Sequence, residues 1–195
     1  PPRSTLFPYT TLFRSLLSNT PAPRTYCVQY RETDFNFVCR LLEEEGIYFY
    51  FTHQDGAHTM VLADGYGAHM TVGGYETILF RDEEQWRDPL KETVTRFAPG
   101  GAIQPSVVTL NDFDFEKASA STSGALLAKA TIPAPFDQRR FEHYDYPGRY
   151  VAAGIGNGFA RARIEALHGQ GERIEASGNA RGLTTGALFT LDEHP

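Results

Sequence analysis

Residues 31–51, with the sequence RETDFNFVCRLLEEEGIYFYF, constrain the fold of this chain more than any other stretch. Apolar residues recur at helical spacing from Phe35 to Leu42, and Thr33 is placed to cap the helix at its N-terminus. Gly46 follows the last of them, where a helix commonly ends in a left-handed residue. Beyond it, apolar residues alternate with period two, as in a strand. The stretch therefore predicts a helix followed at once by a strand, and we expect the two to form the nucleus of a domain.

Three glutamates, Glu43, Glu44 and Glu45, occupy the C-terminal turn of this predicted helix. The helix dipole disfavours anions there by about 0.3–1 kcal/mol per charge. Arg40 lies one turn before Glu44 and offers only the weaker orientation of a helical ion pair. A solvated acidic face is the first interpretation of this run. A contact with a partner chain is the second, because local conflicts of this kind collect at functional sites.

The composition is that of a folded globular protein. Of the 195 residues 41% are hydrophobic and 13% aromatic, which is enough for a packed core. The formal net charge of −6 argues against nucleic acid or anionic lipid as the main partner. Cys27 and Cys39 lack metal-ligand spacing, and we expect Cys39 to be a buried thiol in a reducing compartment. No apolar run is long enough to span a membrane and no signal peptide is recognisable, so we expect a soluble protein.

The two ends of the chain have their own features. Residues 1–20 carry no acidic residue, and residues 5–15 look like the in-frame translation of a common sequencing adapter. We therefore expect residues 1–20 to be non-native and leave them out of the fold prediction. The chain stops at His194-Pro195 without a closing element. We expect the natural N-terminus and C-terminus both to be missing.

The remaining sequence predicts mostly strands. A helix is predicted near 158–168, and the glycine-rich run at 154–158 is predicted to be the loop that enters it. This run lacks the Lys-Ser/Thr ending of a phosphate-binding loop. The polar segment at 82–89 predicts a domain boundary, with Trp86 as an anchor at the interface. The predicted strands lie at 26–30, 58–63, 75–80, 93–97, 106–115, 141–146, 173–178 and 187–192.

No set of side chains stands out as catalytic. Asp112 and Asp114 lie on one face of a predicted strand, about 7 Å apart, which is within the range of an inverting glycosidase pair. Alternating polar and aromatic residues are also typical of any half-exposed strand, and this is the favoured interpretation. His53 and His58 flank a predicted hairpin turn and can approach each other, but a zinc site needs three or four protein ligands. We expect no catalytic, cofactor-binding or metal site.

Several stretches together resemble a known family. They are residues 26–51 followed by HTMVLAD at 58–64, VTLNDFDF at 108–115, HYDYPGRY at 143–150, ARARIEALHG at 160–169 and ARGLTTGALFTLDEHP at 180–195. In this order they resemble the hub region of the valine-glycine repeat protein G (VgrG) family, the spike of the bacterial type VI secretion system. A phage tail hub, or late control protein, is the near alternative.

The resemblance implies an α+β, β-rich fold that is part of a phage tail hub. It implies a small α/β subdomain at 24–80, followed at 81–195 by an incomplete antiparallel β-barrel with a helical insertion. It also implies a structural role without enzyme activity: a homotrimer that docks on the Hcp tube and carries a puncturing needle, a PAAR-repeat tip protein and effectors. Such a protein is assembled in the bacterial cytoplasm and then exported through the type VI apparatus.

The aromatic content, 10 Tyr and 14 Phe, supplies material for the large apolar interfaces of such an assembly. Two competing hypotheses come from other classes of protein: a glycan-acting enzyme that uses Asp112 and Asp114, and a β-rich module that binds carbohydrate through exposed tyrosines. The candidate interface residues are Tyr48, Tyr50, Glu43, Glu44, Glu45, Trp86, Tyr144 and Tyr146.

Overall fold

A computed structural model describes residues 11–82, 90–116, 124–133 and 141–195. Within these ranges the protein is α+β and rich in strands, as the sequence predicts. Its two α-helices are α1 (Asp34–Glu44) and α2 (Ala153–Gly171), and neither is long and apolar enough to cross a membrane. In chain order the strands are β1 (Thr11–Leu16), β2 (Tyr48–Gln54), β3 (Ala57–Ala63), β4 (Met70–Thr71), β5 (Thr77–Phe80), β6 (Thr93–Gly101), β7 (Val107–Phe113), β8 (Ala125–Thr131), β9 (Glu142–Asp145), β10 (Glu172–Gly178), β11 (Ala187–Leu188) and β12 (Thr190–Asp192).

The chain divides into two compact units, and the first combines residues 1–19, 48–101 and 173–195. Strands β2 and β3 form an antiparallel hairpin, and β1 pairs in parallel with the other edge of β3. A second sheet has the strand order β10-β6-β5-β12, and β4 pairs with β11. The core of this unit lies at the first sheet and consists of Tyr50, Val61, Ala63 and Ala68, with Leu16 packed against them.

The second unit combines residues 20–47 and 102–172. Its sheet has the order β8-β7-β9, with β7 antiparallel to β8 and parallel to β9. Helix α2 packs against one face of this sheet, and α1 packs against α2. The core between helix and sheet consists of Val108, Leu110, Ala128, Tyr150, Ala160 and Ile164.

Helix α1 begins and ends as its sequence predicts. The Thr33 hydroxyl accepts a hydrogen bond from the Asn36 amide at 3.2 Å, which caps the N-terminus. At the C-terminus Gly46 has a φ of 71°, in the left-handed region that favours glycine. The amide of Ile47 donates to the carbonyl of Leu42 at 2.8 Å, which is the long bond of a Schellman motif.

The helix and the strand of the predicted nucleus are assigned to different units. Helix α1 belongs to the second unit and β2 to the first, and α1 has no buried residue. The spacing of apolar residues predicts that a helix has an apolar face, but it does not identify the element that covers this face. The predicted boundaries at 24–80 and 81–195 also differ from the two compact units, so the predicted domains stay predictions.

Other elements differ from the local predictions. Residues 26–30 form no strand, and the glycine-rich run at 154–158 lies inside α2 instead of preceding it. Strand β8 has no counterpart among the predicted strands, because its sequence ALLAKAT has only one β-branched residue.

The barrel of the second half is incomplete, as expected, since the sheets of the described ranges are open. Their pairing is mixed, with parallel pairs such as β5 with β6 and β7 with β9, where antiparallel pairing is predicted.

Strand β1 lies in the segment that the sequence suggests is non-native. Its residues pair with β3 from Thr11 opposite His58 to Leu16 opposite Ala63. Ser18 and Asn19 lie just after β1, and their amides donate hydrogen bonds to the Asp64 carboxylate at 2.8 Å and 3.1 Å respectively. Burial raises the pKa of Asp64, but these hydrogen bonds outweigh it and leave the pKa below its ordinary value. The foreign origin of residues 1–20 stays a prediction.

Candidate interface surfaces

Tyr48 lies at the edge of the first unit in a network with His69. The Tyr48 side chain is 39% exposed, and its ring stacks on the His69 ring at a centroid distance of 5.6 Å. Its hydroxyl lies 2.6 Å from His69 Nε2 and 3.1 Å from the Gly65 carbonyl oxygen. His69 Nδ1 lies 2.9 Å from the Gly186 carbonyl oxygen, so this histidine connects two distant segments. Burial raises the pKa of the Tyr48 hydroxyl, which therefore remains protonated at neutral pH.

Tyr50 is a core residue of the first unit. It is 8% exposed, and its hydroxyl donates to the Ala68 carbonyl at 2.8 Å. Its ring also lies against Gly186, where an added Cβ would come within 2.5 Å of the ring. The expectation that Tyr50 is half in the core and half in contact with a partner is therefore corrected, since this side chain is already covered. A period-two pattern places it on one face of β2 but does not show that this face is the buried one.

The acidic turn of α1 is neutralised within its own unit. The Arg24 guanidinium contacts the carboxylates of Glu44, at 2.5 Å, and Glu45, at 2.7 Å. Burial lowers the pKa of Arg24, but the hydrogen bonds to both glutamates outweigh it and hold the pKa above its ordinary value. Arg40 does not serve this turn as a helical partner would, because it pairs with Glu32 at 2.6 Å. The ion pairs with Arg24 explain how α1 tolerates these charges, while Glu43 is exposed.

Asp112 holds the backbone of the segment that leads into α2. One carboxylate oxygen accepts from the Phe113 amide at 2.7 Å, and the other accepts from the amides of Arg149, at 2.6 Å, and Tyr150, at 3.3 Å. Asp114 lies beyond the end of β7 and accepts from the Glu116 amide at 3.1 Å. Both carboxylates thus accept backbone hydrogen bonds, which is a structural use. Among the described residues, no three or more His, Cys, Asp or Glu side chains form a group that could hold a metal ion.

Tyr144 lies on the sheet face opposite to α2, which we call the outer face. Because Val108 and Leu110 face the helix, the residues that alternate with them along β7 lie on the other side. Tyr144 is opposite Thr109, and Leu127 of β8 is opposite Asn111, so both belong to the outer face together with Phe113. They are exposed to 56%, 61% and 47% respectively. The outer face therefore presents three large apolar side chains.

The remaining candidates are less well placed. Tyr146 follows β9 and is as exposed as Tyr144, but it lies outside the strand. Trp86 lies outside the described residues. Asp145, which precedes Tyr146 in the chain, pairs with Arg163 of α2 at 2.6 Å. This hydrogen bond is the main reason that the pKa of Asp145 is lowered. Tyr48 and Tyr50 thus belong to the first unit, and Tyr144, Tyr146 and the three glutamates belong to the second.

Comparison with known proteins identifies the family. The family model of the phage tail baseplate hub (GPD) matches residues 5–195. The chain belongs to the phage tail baseplate hub family. The described fold agrees with this, because it is similar to the solved structure of the E. coli c3393 protein, with a TM-score of 0.57 at 14% identity over 98% of this chain and 36% of that chain. That protein is described as a component of the type VI secretion system with structural similarity to the T4 bacteriophage tail proteins gp27 and gp5.

This hub chain also has relatives of higher identity. It is 39% identical over 177 residues to the type VI secretion system spike protein VgrG1a of Pseudomonas aeruginosa, covering 87% of this chain and 26% of the relative. It is 38% identical over 186 residues to VgrG1b of the same organism, covering 94% of this chain and 24% of the relative. The hub chain therefore spans about a quarter of the length of these relatives.

Several residues that matter for the surfaces of the hub chain are not indicated by its sequence. Leu127 lies in β8, for which the sequence predicts no strand. The alternation of Phe113 with Asp112 and Asp114 places it on the opposite face of the strand but does not show which face α2 covers. His69 gave no signal, because its partners Tyr48 and Gly186 are distant in sequence. Arg24 precedes α1 by ten residues, beyond the reach of any helical spacing rule. Only the register of the strands and the path of the loops bring these side chains to their partners.

Proposed function

We propose that this chain is a hub segment of a type VI secretion spike and that its role is structural. The observation that carries this proposal is the match of the hub family to residues 5–195, together with 39% identity to a type VI spike protein over most of the chain. Membership of the phage tail baseplate hub family is shown for this chain. The role of the complete protein is inferred from its relatives, because the chain spans about a quarter of their length.

The use of the polar residues supports a structural role. The two aspartates that suggested a glycosidase accept backbone hydrogen bonds, and Asp112 in particular organises the entry into α2. A general acid in such an enzyme needs a carboxyl that faces the substrate. The acidic turn of α1 is likewise compensated by Arg24. The acidic side chains that could take part in catalysis or binding therefore stabilise the fold instead.

The outer face supports assembly with further copies of the chain. Exposed Phe, Tyr and Leu side chains on a regular sheet are typical of a surface that becomes buried in an oligomer. We propose that the complete protein is a homotrimer, that it docks on the Hcp tube, and that it carries the needle, the PAAR-repeat tip and effectors. It assembles in the bacterial cytoplasm and is then exported through the apparatus.

A phage tail baseplate hub is the second candidate. The name of the matching family and the structural likeness to a protein similar to T4 tail proteins favour it. Both candidates are hubs of contractile machines, so the chain alone has the same architecture in each. The two differ in what surrounds them: export of the protein by living cells supports the spike, whereas incorporation into released phage particles supports the tail.

The test uses the full-length protein with the double substitution Tyr144→Asp and Leu127→Asp, which places charge on the outer face. We expect the trimer to dissociate in native mass spectrometry and type VI-dependent export of the protein to stop. The control is Arg161→Glu on the exposed side of α2, which changes charge at a site away from the outer face and leaves assembly intact. If the doubly substituted protein still forms trimers and is exported normally, the outer face is not the interface.

A further inference from the structure

Two histidines lie side by side at the end of the β2–β3 hairpin. His53 and His58 are directly opposite each other in the strand register, next to the turn that contains Gly56. Both side chains are exposed, and their Nδ1 atoms are 2.8 Å apart. The His53 ring also stacks on Phe51, at a centroid distance of 6.5 Å and an interplanar angle of 25°, which restrains its orientation. The pair is thus preorganised by the hairpin and not by a flexible loop.

The distance between the two nitrogens is informative. Metal–imidazole bonds are about 2.0–2.1 Å long, so two nitrogens that share one metal ion at an angle of about 90° lie roughly 2.8–3.0 Å apart. A tetrahedral ion needs a wider separation of about 3.3–3.4 Å at the same bond length. The observed 2.8 Å is a hydrogen-bond distance, and it also equals the separation that a square-planar or tetragonal ion requires, so such an ion needs little movement of either side chain. Cu²⁺ and Ni²⁺ prefer that geometry, and Zn²⁺ prefers the tetrahedral one.

We propose that His53 and His58 form a two-histidine binding site for a divalent transition metal, with Cu²⁺ preferred. On binding, the hydrogen between the two Nδ1 atoms is displaced to an Nε2 atom or to solvent. Each imidazole then carries its proton on Nε2 and offers its Nδ1 lone pair to an ion that lies to one side of the line between the two nitrogens. The described residues offer no third His, Cys, Asp or Glu in a common group, so the remaining positions are left to water. The site is consequently open and differs from the closed sites of structural zinc.

This proposal agrees with the sequence pattern and refines it. The spacing of His53 and His58 around a turn indicates proximity but not a complete ligand set, which is why a zinc site is not predicted. An open site needs only two protein ligands in the correct relative position. The proposal is also independent of the proposed function, because the hairpin lies in the first unit and the outer face in the second.

The experiment is a Cu²⁺ titration of the untagged 195-residue chain, with Ni²⁺ and Zn²⁺ for comparison. We expect one equivalent of Cu²⁺ to bind, with an electron paramagnetic resonance spectrum of two equatorial imidazole nitrogens and with affinity in the order Cu²⁺, Ni²⁺, Zn²⁺. His53→Gln and His58→Gln each lower the Cu²⁺ affinity at least tenfold and remove the two-nitrogen spectrum. Bound Cu²⁺ also raises the urea midpoint of the unaltered chain, because the ion joins two strands only in the folded state.

The control is His143→Gln, which removes an exposed histidine of β9 and leaves Cu²⁺ binding unchanged. Circular dichroism establishes that each variant is folded before the metal is added. The proposal is overturned if the double variant His53→Gln/His58→Gln binds Cu²⁺ as tightly as the unaltered chain. It is also overturned if His143→Gln weakens binding as much as His53→Gln does, since the copper is then held by scattered surface histidines.

Discussion

Tyr150 explains why the glycine-rich run at 154–158 is helical. Its buried ring lies in the core between α2 and the sheet, and its hydroxyl lies 2.9 Å from the Leu110 carbonyl and 2.5 Å from the Leu126 carbonyl. An added Cβ at Gly156 would come within 2.5 Å of this ring, whereas one at Gly158 would meet nothing within 4 Å. Glycine is thus required at one position of the helix and is merely tolerated at the other.

This contrast gives a prediction with opposite signs for two similar substitutions. Gly156→Ala forces the Tyr150 ring to move and lowers the free energy of unfolding by about 1–3 kcal/mol, as expected for overpacking. Gly158→Ala, on the exposed side of the same helix, raises it by up to about 1 kcal/mol, because alanine is the better helix former. Urea unfolding of both variants measures the difference. Equal effects for the two positions would contradict the packing of Tyr150 against Gly156.

The Asp145–Arg163 pair predicts a dependence of stability on pH. The hydrogen bond from Arg163 holds the pKa of Asp145 below its ordinary value, so the folded state keeps this carboxylate ionised at a lower pH than the unfolded state does. The stabilisation is therefore complete above the unfolded pKa of about 3.9 and is lost as the pH falls towards the lower folded value. Arg163→Gln should raise the pKa of Asp145, which carboxyl NMR measures directly. The free energy of unfolding of the Arg163→Gln variant should also differ less from that of the unaltered chain as the pH falls from 5 to 2, because the unaltered chain loses the stabilisation that the variant already lacks. An unchanged Asp145 titration in the variant would rule out this role of Arg163.

At the scale of elements, local chemistry predicts more than packing does. The caps of α1, the Gly46 turn and the β2–β3 hairpin follow from residues within a few positions of one another, and all are present. Strand β8 and the N-terminal turns of α2 were missed because their stability comes from tertiary contacts: Ala128 and Ala160 are fully buried although they have no strong local preference. Conversely, residues 26–30 have a strand-like sequence and form no strand, since a strand also requires a partner edge.

The ion pairs of Arg24 belong to the same scale, because they determine how α1 ends. Arg24→Ala leaves Glu44 and Glu45 uncompensated at the negative end of the helix dipole, and we expect it to lower the free energy of unfolding by about 1 kcal/mol at low salt. Arg161→Ala is the matched control, since Arg161 pairs with Glu165 on the exposed side of α2 and such a pair contributes about 0.3–0.5 kcal/mol. Urea unfolding at 20 mM and at 1 M NaCl separates the two, and the larger effect should shrink at high salt. Equal losses for the two variants would show that Arg24 has no special role.

At the scale of the whole molecule, the two compact units are built from interleaved parts of the chain. The first needs three segments and the second needs two, so neither unit is a continuous stretch. In a sequence, a domain boundary is indicated by a single change of composition, and the polar segment at 82–89 offers one. Interleaving leaves no such mark, because each crossing of the chain occurs within a short connection. The family resemblance therefore predicts the hub architecture correctly, whereas the residues that form each unit are determined by contacts between segments that are distant in sequence.

Strand β1 provides a test of how far the N-terminal segment belongs to this architecture. It covers one edge of β3 along six residue pairs, and Leu16 packs against the core of the first unit. Removal of residues 1–16 should lower the free energy of unfolding by about 2–4 kcal/mol, through the loss of the Leu16 burial and of ladder hydrogen bonds. It should also increase aggregation, measured by light scattering, because the freed edge of β3 can pair with another chain.

Removal of residues 1–10 is the control, since it keeps β1 and also keeps Ser18 and Asn19 on Asp64. If both truncated chains are as stable as the complete one, β1 adds nothing to the stability of the fold.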